Sequence, residues 1–152
     1  MIAVDTNVLV LAHRASLERH AAARAWLAAL SEGSAPWGLP VFCLGEFVRV
    51  VTHPRIFSRP STVQEALAVL EGLLASPSSR LLVPGTRFPE IFSALVRSAD
   101  ARGNLAFDAQ IAAVCLEQNV TKLLTEDRDF SRFAELSLLQ VGDAPPGRSS
   151  RG

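Results

Sequence analysis

Residues 1–13 read MIAVDTNVLVLAH. A short apolar run, Ile2–Val4, drives straight into Asp5, and after Thr6 and Asn7 the chain turns apolar again. The run reads as a buried strand and Asn7–His13 as the helix that follows it, so the chain opens as a strand–helix unit. Asp5 at the junction is either the cap of that helix or one of several acids needed together. The rest of the chain has to decide between them.

Working outward, Ser16–Ser31 reads as a helix with an amphipathic stripe through Leu17, Ala21, Arg24, Ala25 and Leu27. The turn-makers of GSAPWGLP (33–40) put Trp37 in a short extended segment, and Pro40 suits the first turn of a helix that His53–Pro54 stops. SRPST (58–62) offers Ser61 or Thr62 as cap for the helix VQEALAVLEGLLAS, with Pro77 beyond its end. Arg80–Val83 reads as a strand, and Pro89 to Ala101 as a helix closed by Gly103 as a left-handed C-cap. Phe107–Gln118 reads as a further helix, Lys122–Thr125 as a strand, TEDRDF as a loop, SRFAEL as a helical turn and Leu138–Val141 as the last strand. Strands alternating with helices predict a three-layer α/β/α fold with a central, mostly parallel sheet. Residues 1–141 form one domain on this reading, and the tail GDAPPGRSSRG (142–152) reads as disordered.

Composition sets bounds. At 152 residues, 49% hydrophobic and 20% charged, the chain can bury a core without staples. Its 15 acids balance 15 bases, which argues against broad duplex binding and leaves room for a local basic rim. Cys43 and Cys115 sit in apolar helical patterns with no partner at ligand spacing, so they read as core filler in a cytoplasmic protein. No apolar stretch reaches the roughly 18 residues of a membrane span.

Each acid has an ordinary reading. Asp5 and Asp108 fit N-caps, Glu46 fits an (i, i+3) pair with Arg49, and Asp127 and Asp129 fit a turn. Their placement carries more. In a parallel sheet all strands end at one edge and the following helices begin there, and ligands bind outside that edge. Asp5 and Asp127 follow strands, while Asp108 and Glu46 lie early in helices, so four acids can converge. Two carboxylates about 4 Å apart repel by about 1 kcal/mol in water and by several in a protein, so a cation must neutralise such a group. Oxygen ligands without Cys or His favour Mg²⁺ or Mn²⁺, which supports phosphodiester hydrolysis. A phosphatase of the haloacid-dehalogenase type needs a second Asp where Asn7 stands, and a receiver domain needs an early acidic pair. A non-catalytic α/β binding module, its acids acting as caps and ion pairs, stays open.

DTN (5–7) after the first strand, the internal Glu of EFVRVVTHPRI (46–56), FDAQIAAVCLE (107–117) and LLTEDRDFSRF (123–133) together resemble the PIN domain of VapC-type toxins. These are the RNase halves of type II toxin–antitoxin pairs, and the likeness spans about residues 1–141. The resemblance implies an endoribonuclease whose Asp5, Glu46, Asp108 and Asp127 hold one or two Mg²⁺ or Mn²⁺ ions. Thr6, Asn7 and Thr125 would support these acids, with Asp129 a further member or a turn cap. It also implies structured RNA such as tRNA or rRNA as substrate, a homodimer, and silencing by a VapB-type antitoxin in a higher assembly. A PIN-like DNA or RNA nuclease outside such a pair is the nearest alternative. Arg14, Arg49, Arg97, Arg102 and Lys122 are the candidate contacts to RNA phosphate, each with an ordinary reading as solvated surface charge.

Overall fold

A computed structural model describes residues 1–147. Strands β1 (Ile2–Val4), β2 (Trp37–Pro40), β3 (Ser79–Leu82), β4 (Lys122–Leu124) and β5 (Ser137–Leu139) form one sheet in the order β3-β2-β1-β4-β5. Every neighbouring pair is parallel. Helices α1 (Thr6–His13), α2 (His20–Glu32), α3 (Phe42–Val51), α4 (Val63–Ala75), α5 (Phe88–Ala99) and α6 (Asn104–Glu117) supply the outer layers of the three-layer α/β/α fold, and a 3₁₀ turn spans Arg128–Arg132. β1 opens the chain yet lies at the centre, between β2 and β4, so Val4 pairs with Leu124.

The central strands are covered on both faces, and Ala3, Val4, Trp37, Leu39, Leu123 and Leu124 are inaccessible, while the edge strands β3 and β5 are more open. Against them pack Trp26, Phe47, Ile111, Phe130 and Phe133, each worth about 1.5–3 kcal/mol of transfer free energy when fully buried. Cys43 and Cys115 are free thiols within this core, as their apolar context predicts. Trp26 donates its indole N–H to the Asp143 carbonyl at 3.0 Å, and the Asp143 carboxylate accepts the Gln140 N–H at 2.7 Å. The first residues of the expected tail are thus tied down; its last five, 148–152, lie outside the described residues. Among the described residues, no helix is long and apolar enough to cross a membrane.

Several boundaries differ from the sequence reading, each for a backbone reason. α2 begins at His20 rather than Ser16, because Arg19 adopts a left-handed conformation (φ 67) that a helix cannot contain. Pro40 ends β2 instead of opening α3. α5 is closed by Asp100 in the left-handed region (φ 46), not by Gly103. Gly103 instead takes φ 57 just before α6, which starts at Asn104, three residues earlier than expected. DRDF is not a loop but enters the 3₁₀ turn.

α4 is set by a reciprocal cap. The Thr62 hydroxyl accepts the Glu65 N–H at 3.1 Å, and Glu65 accepts the Thr62 N–H at 3.3 Å. Thr62→Ala removes the first of these bonds and is expected to lower unfolding free energy by about 1 kcal/mol in urea titration. An unchanged midpoint and slope would show that the cap contributes nothing here.

Candidate active site

The β1–β4 register puts Asp5 beside Thr125 at the carboxyl edge of the sheet, and Asp5 N–H continues the ladder to the Leu124 carbonyl at 3.0 Å. Asp5 is only 4% exposed. Its Oδ1 accepts the Thr6 N–H at 2.7 Å, and its Oδ2 accepts the Thr125 hydroxyl at 2.8 Å and the Asn7 amide at 3.1 Å. Asp5 therefore does cap α1, and it does so while facing the other acids. Burial, with the charges of Glu46 and Asp127 after it, lifts its pKa to about 6 against the Thr125 and Thr6 hydrogen bonds.

Thr125 is the hub. Its single hydroxyl proton goes to Asp5, and its oxygen accepts the Asp127 N–H at 3.0 Å and the Asn7 amide at 3.3 Å, which uses its full capacity. Asn7 faces both ways, since its Oδ1 accepts the Glu126 N–H at 3.1 Å. Thr6 supports Asp5 through its backbone only. Its side chain is buried beside Cys43, whose Sγ lies 4.0 Å from Asp5 Oδ1. Burial first, then the Asp5 charge, push the Cys43 thiol well above its ordinary value, and burial pushes Cys115 up to about 12. Both thiols are inert.

Asp108 stands in the second turn of α6, which sets aside its ordinary reading as an N-cap; the earlier start of the helix leaves its side chain out of capping. Carboxylate oxygens of Asp108, Asp127 and Asp129 lie within 4.8 Å of one another. Among the described residues no hydrogen-bond donor reaches the Asp108 carboxylate. Burial raises its pKa to about 7, followed by the charges of Asp127, Asp5, Glu46 and Asp129. Glu46 projects from α3 into the same field, and among the described residues no ion pair joins it to Arg49. Asp127 caps the 3₁₀ turn by accepting the Asp129 N–H at 2.9 Å, and Asp129 is the exposed member of the trio.

The basic candidates divide. Arg14 is engaged elsewhere: it donates to Ser61 Oγ at 3.2 Å and to the Arg59 carbonyl at 2.8 Å, and its guanidinium lies 4.2 Å from the Phe57 ring centroid. Lys122 opens β4 and so lies at the edge opposite the acids. Arg102 pairs with Asp100 at 2.9 Å in solvent. Arg49 and Arg97 are exposed in the last turns of α3 and α5. Sequence reasoning left Glu126 and Arg19 unassigned, although they form an ion pair next to Asp127. No local spacing links residues so far apart in the chain.

Five carboxylates gather at a strand edge, with hydrogen bonds to fix one of them and none to neutralise another, a set of oxygen donors of the kind hard cations take. The PIN domain family model matches residues 2–136. Ribonuclease VapC43 of Mycobacterium tuberculosis is 45% identical over 136 residues, covering 90% of this chain and 92% of the relative. Two solved structures share the fold: VapBC2 from Rickettsia felis, bound to a DNA fragment from its promoter, and M. tuberculosis VapC20, a sarcin–ricin loop cleaving toxin. The first has a TM-score of 0.67 at 19% identity, covering 92% of this chain and 98% of its own. The second has a TM-score of 0.65 at 21% identity, covering 86% and 93%. With its acids so placed and its sequence so matched along nearly its whole length, the chain belongs to the PIN-domain family, among the VapC ribonucleases.

Proposed function

We propose that this chain is the RNA-cleaving toxin of a toxin–antitoxin pair, an endoribonuclease that hydrolyses structured RNA in the cytoplasm with one or two Mg²⁺ or Mn²⁺ ions. The observation that carries the reading is Asp108: a half-buried carboxylate with no donor among the described residues, set among four other acids. A cation beside such a group would stabilise its ionised form. Asp5, Asp108 and Asp127 would hold the ion, with Glu46 and Asp129 at its margin. A divalent cation there supplies Lewis acidity, lowering the pKa of the attacking water and stabilising the leaving oxygen of an in-line displacement at phosphorus.

The chain's own groups do the rest. Thr6 N–H, Asn7 and Thr125 fix the Asp5 carboxylate in one orientation, and Thr125 also fixes the backbone that carries Asp127. Arg49, Arg97 and Arg102 are the exposed cations we assign to RNA phosphate. For the antitoxin, the groove between α1, α2 and α4 offers about 400 Å³ over Leu9, Ala12, Leu27 and Val69, with His20 and Arg24 on its wall. An apolar floor with a basic rim suits an amphipathic segment of a VapB-type partner, in an assembly built on a homodimer.

Asp108→Asn should reduce RNA cleavage by more than the roughly 10–100-fold that outer-shell changes cost. Because Asp108 has no hydrogen bond to lose, the same variant should melt higher than the wild type when both are metal-free at pH 7.5. Cleavage within a few fold of wild type would remove Asp108 from the site. Asp129→Asn should cost less activity than Asp127→Asn, since only Asp127 is held by Thr125 and the turn; equal losses would place both at the ion.

A pH prediction follows from Asp5 at about 6 and Asp108 at about 7, against an ordinary 3.8. Between about pH 4 and 7 the folded, metal-free chain holds more protons than the unfolded one, so its stability falls as pH rises through that window. Saturating Mn²⁺ should therefore raise the melting temperature more at pH 7.5 than at pH 5. Equal shifts, or no saturable binding of Mn²⁺ or Mg²⁺, would contradict a carboxylate-bound cation.

A further inference from the structure

Glu126 precedes Asp127, and both of its carboxylate oxygens are in use. Oε2 meets the Arg19 guanidinium, and Oε1 accepts the Val141 N–H at 2.7 Å. Its backbone N–H goes to Asn7 Oδ1 at 3.1 Å. The peptide leading into Asp127 is therefore gripped from two sides. Asn7 and Thr125 hold the backbone on the side of Asp5, while the Glu126 side chain ties it to the α1–α2 junction and to the chain after β5. Glu126 is 18% exposed and Arg19 55% exposed at the side chain, so the pair is half-shielded rather than a loose surface bridge.

Arg19 occupies the third position of the turn closed by the His20 N–H on the Leu17 carbonyl at 3.2 Å. It is a non-glycine residue at φ 67, a left-handed conformation that costs an L-residue about 1–2 kcal/mol. Its side chain makes no cap bond to α2 and is left for Glu126. From that turn its guanidinium reaches Glu126.

We infer that Glu126, clamped by Arg19 and the Val141 N–H, is a positioning residue that sets the direction in which Asp127 presents its carboxylate to the cation. This rests on the metal-nuclease reading above. It assigns to an ion pair outside the acid cluster a share of the cation affinity.

Mn²⁺ alone, titrated calorimetrically into the full-length protein, is the probe. Glu126→Ala should weaken Mn²⁺ about tenfold, as loss of an outer-shell partner does, and lower kcat with the KM for RNA held. Glu126→Gln keeps an acceptor for the Val141 N–H, loses the charge and should fall between. Arg19→Gly is the decisive variant, because glycine accepts the left-handed backbone that arginine strains against. It should melt no lower than the wild type yet bind Mn²⁺ two- to threefold more weakly, which a merely structural role would not produce. Should Glu126→Ala not fold, Glu126→Gln and Arg19→Gly decide the matter. Wild-type affinity in those variants overturns this inference alone. Failure of the wild type to bind Mn²⁺ removes the metal-nuclease reading, and this inference with it.

Discussion

Mutual repulsion among carboxylates at one sheet edge is the constraint to which the rest of this molecule answers. The all-parallel topology places Asp5 and Thr125 side by side at the ends of β1 and β4, and α3 and α6 bring Glu46 and Asp108 to them. A sheet with one antiparallel central strand would have sent one of these residues to the far edge. The core of Trp37, Phe47, Leu123 and Phe130 does not touch the chemistry, but it holds the strands in the register that makes the acids neighbours. Hydrophobic burial, non-directional in itself, is here the source of electrostatic strain.

The chain relieves that strain unevenly. Asp5, the most buried acid, accepts from Thr6, Asn7 and Thr125, and the Thr125 and Thr6 bonds hold its pKa down against burial. Asp108 receives none among the described residues and rises further although it is less buried. Two carboxylates of the same edge are thus pushed apart in character by hydrogen bonding, the one pinned and the other left wanting a counter-charge. Had Asp108 been capped or paired, the edge would be a stable polar cluster with nothing left for a ligand to satisfy.

Much of this arrangement was legible in the residue order. Alternating strand and helix patterns gave the parallel sheet, and the position of each acid after a strand or early in a helix gave the edge. The boundaries that misled were those governed by backbone conformation: Arg19 and Asp100 take left-handed angles that composition does not announce, and Gly103 serves the start of α6 instead of the end of α5. The roles of Thr125 as hub and of Glu126 as clamp depend on partners more than a hundred positions away, at Asp5, Asn7 and Arg19. Side-chain bonds of that span follow from register, and register follows from the folded core, so no local window could have contained them. The placement of Lys122 was hidden for the same reason: only the strand direction shows that it lies at the edge opposite the acids.

Charge balance gives the site its last property. The chain is neutral as a whole, with 15 acids against 15 bases, yet five of those acids crowd one edge. That edge on its own repels an RNA phosphate, and exposed arginines on α3 and α5 cannot reverse its sign within a Debye length of about 8 Å. On the proposed reading a divalent cation offsets part of that charge and offers a phosphate oxygen a direct ligand position, so cation and RNA each raise the other's affinity by the same factor. Cation binding then selects when RNA can approach as well as what happens to it. The carboxylates that make the apo edge repulsive are the ones that would hold the ion through which a phosphate can approach, which is why their convergence calls for a counter-charge.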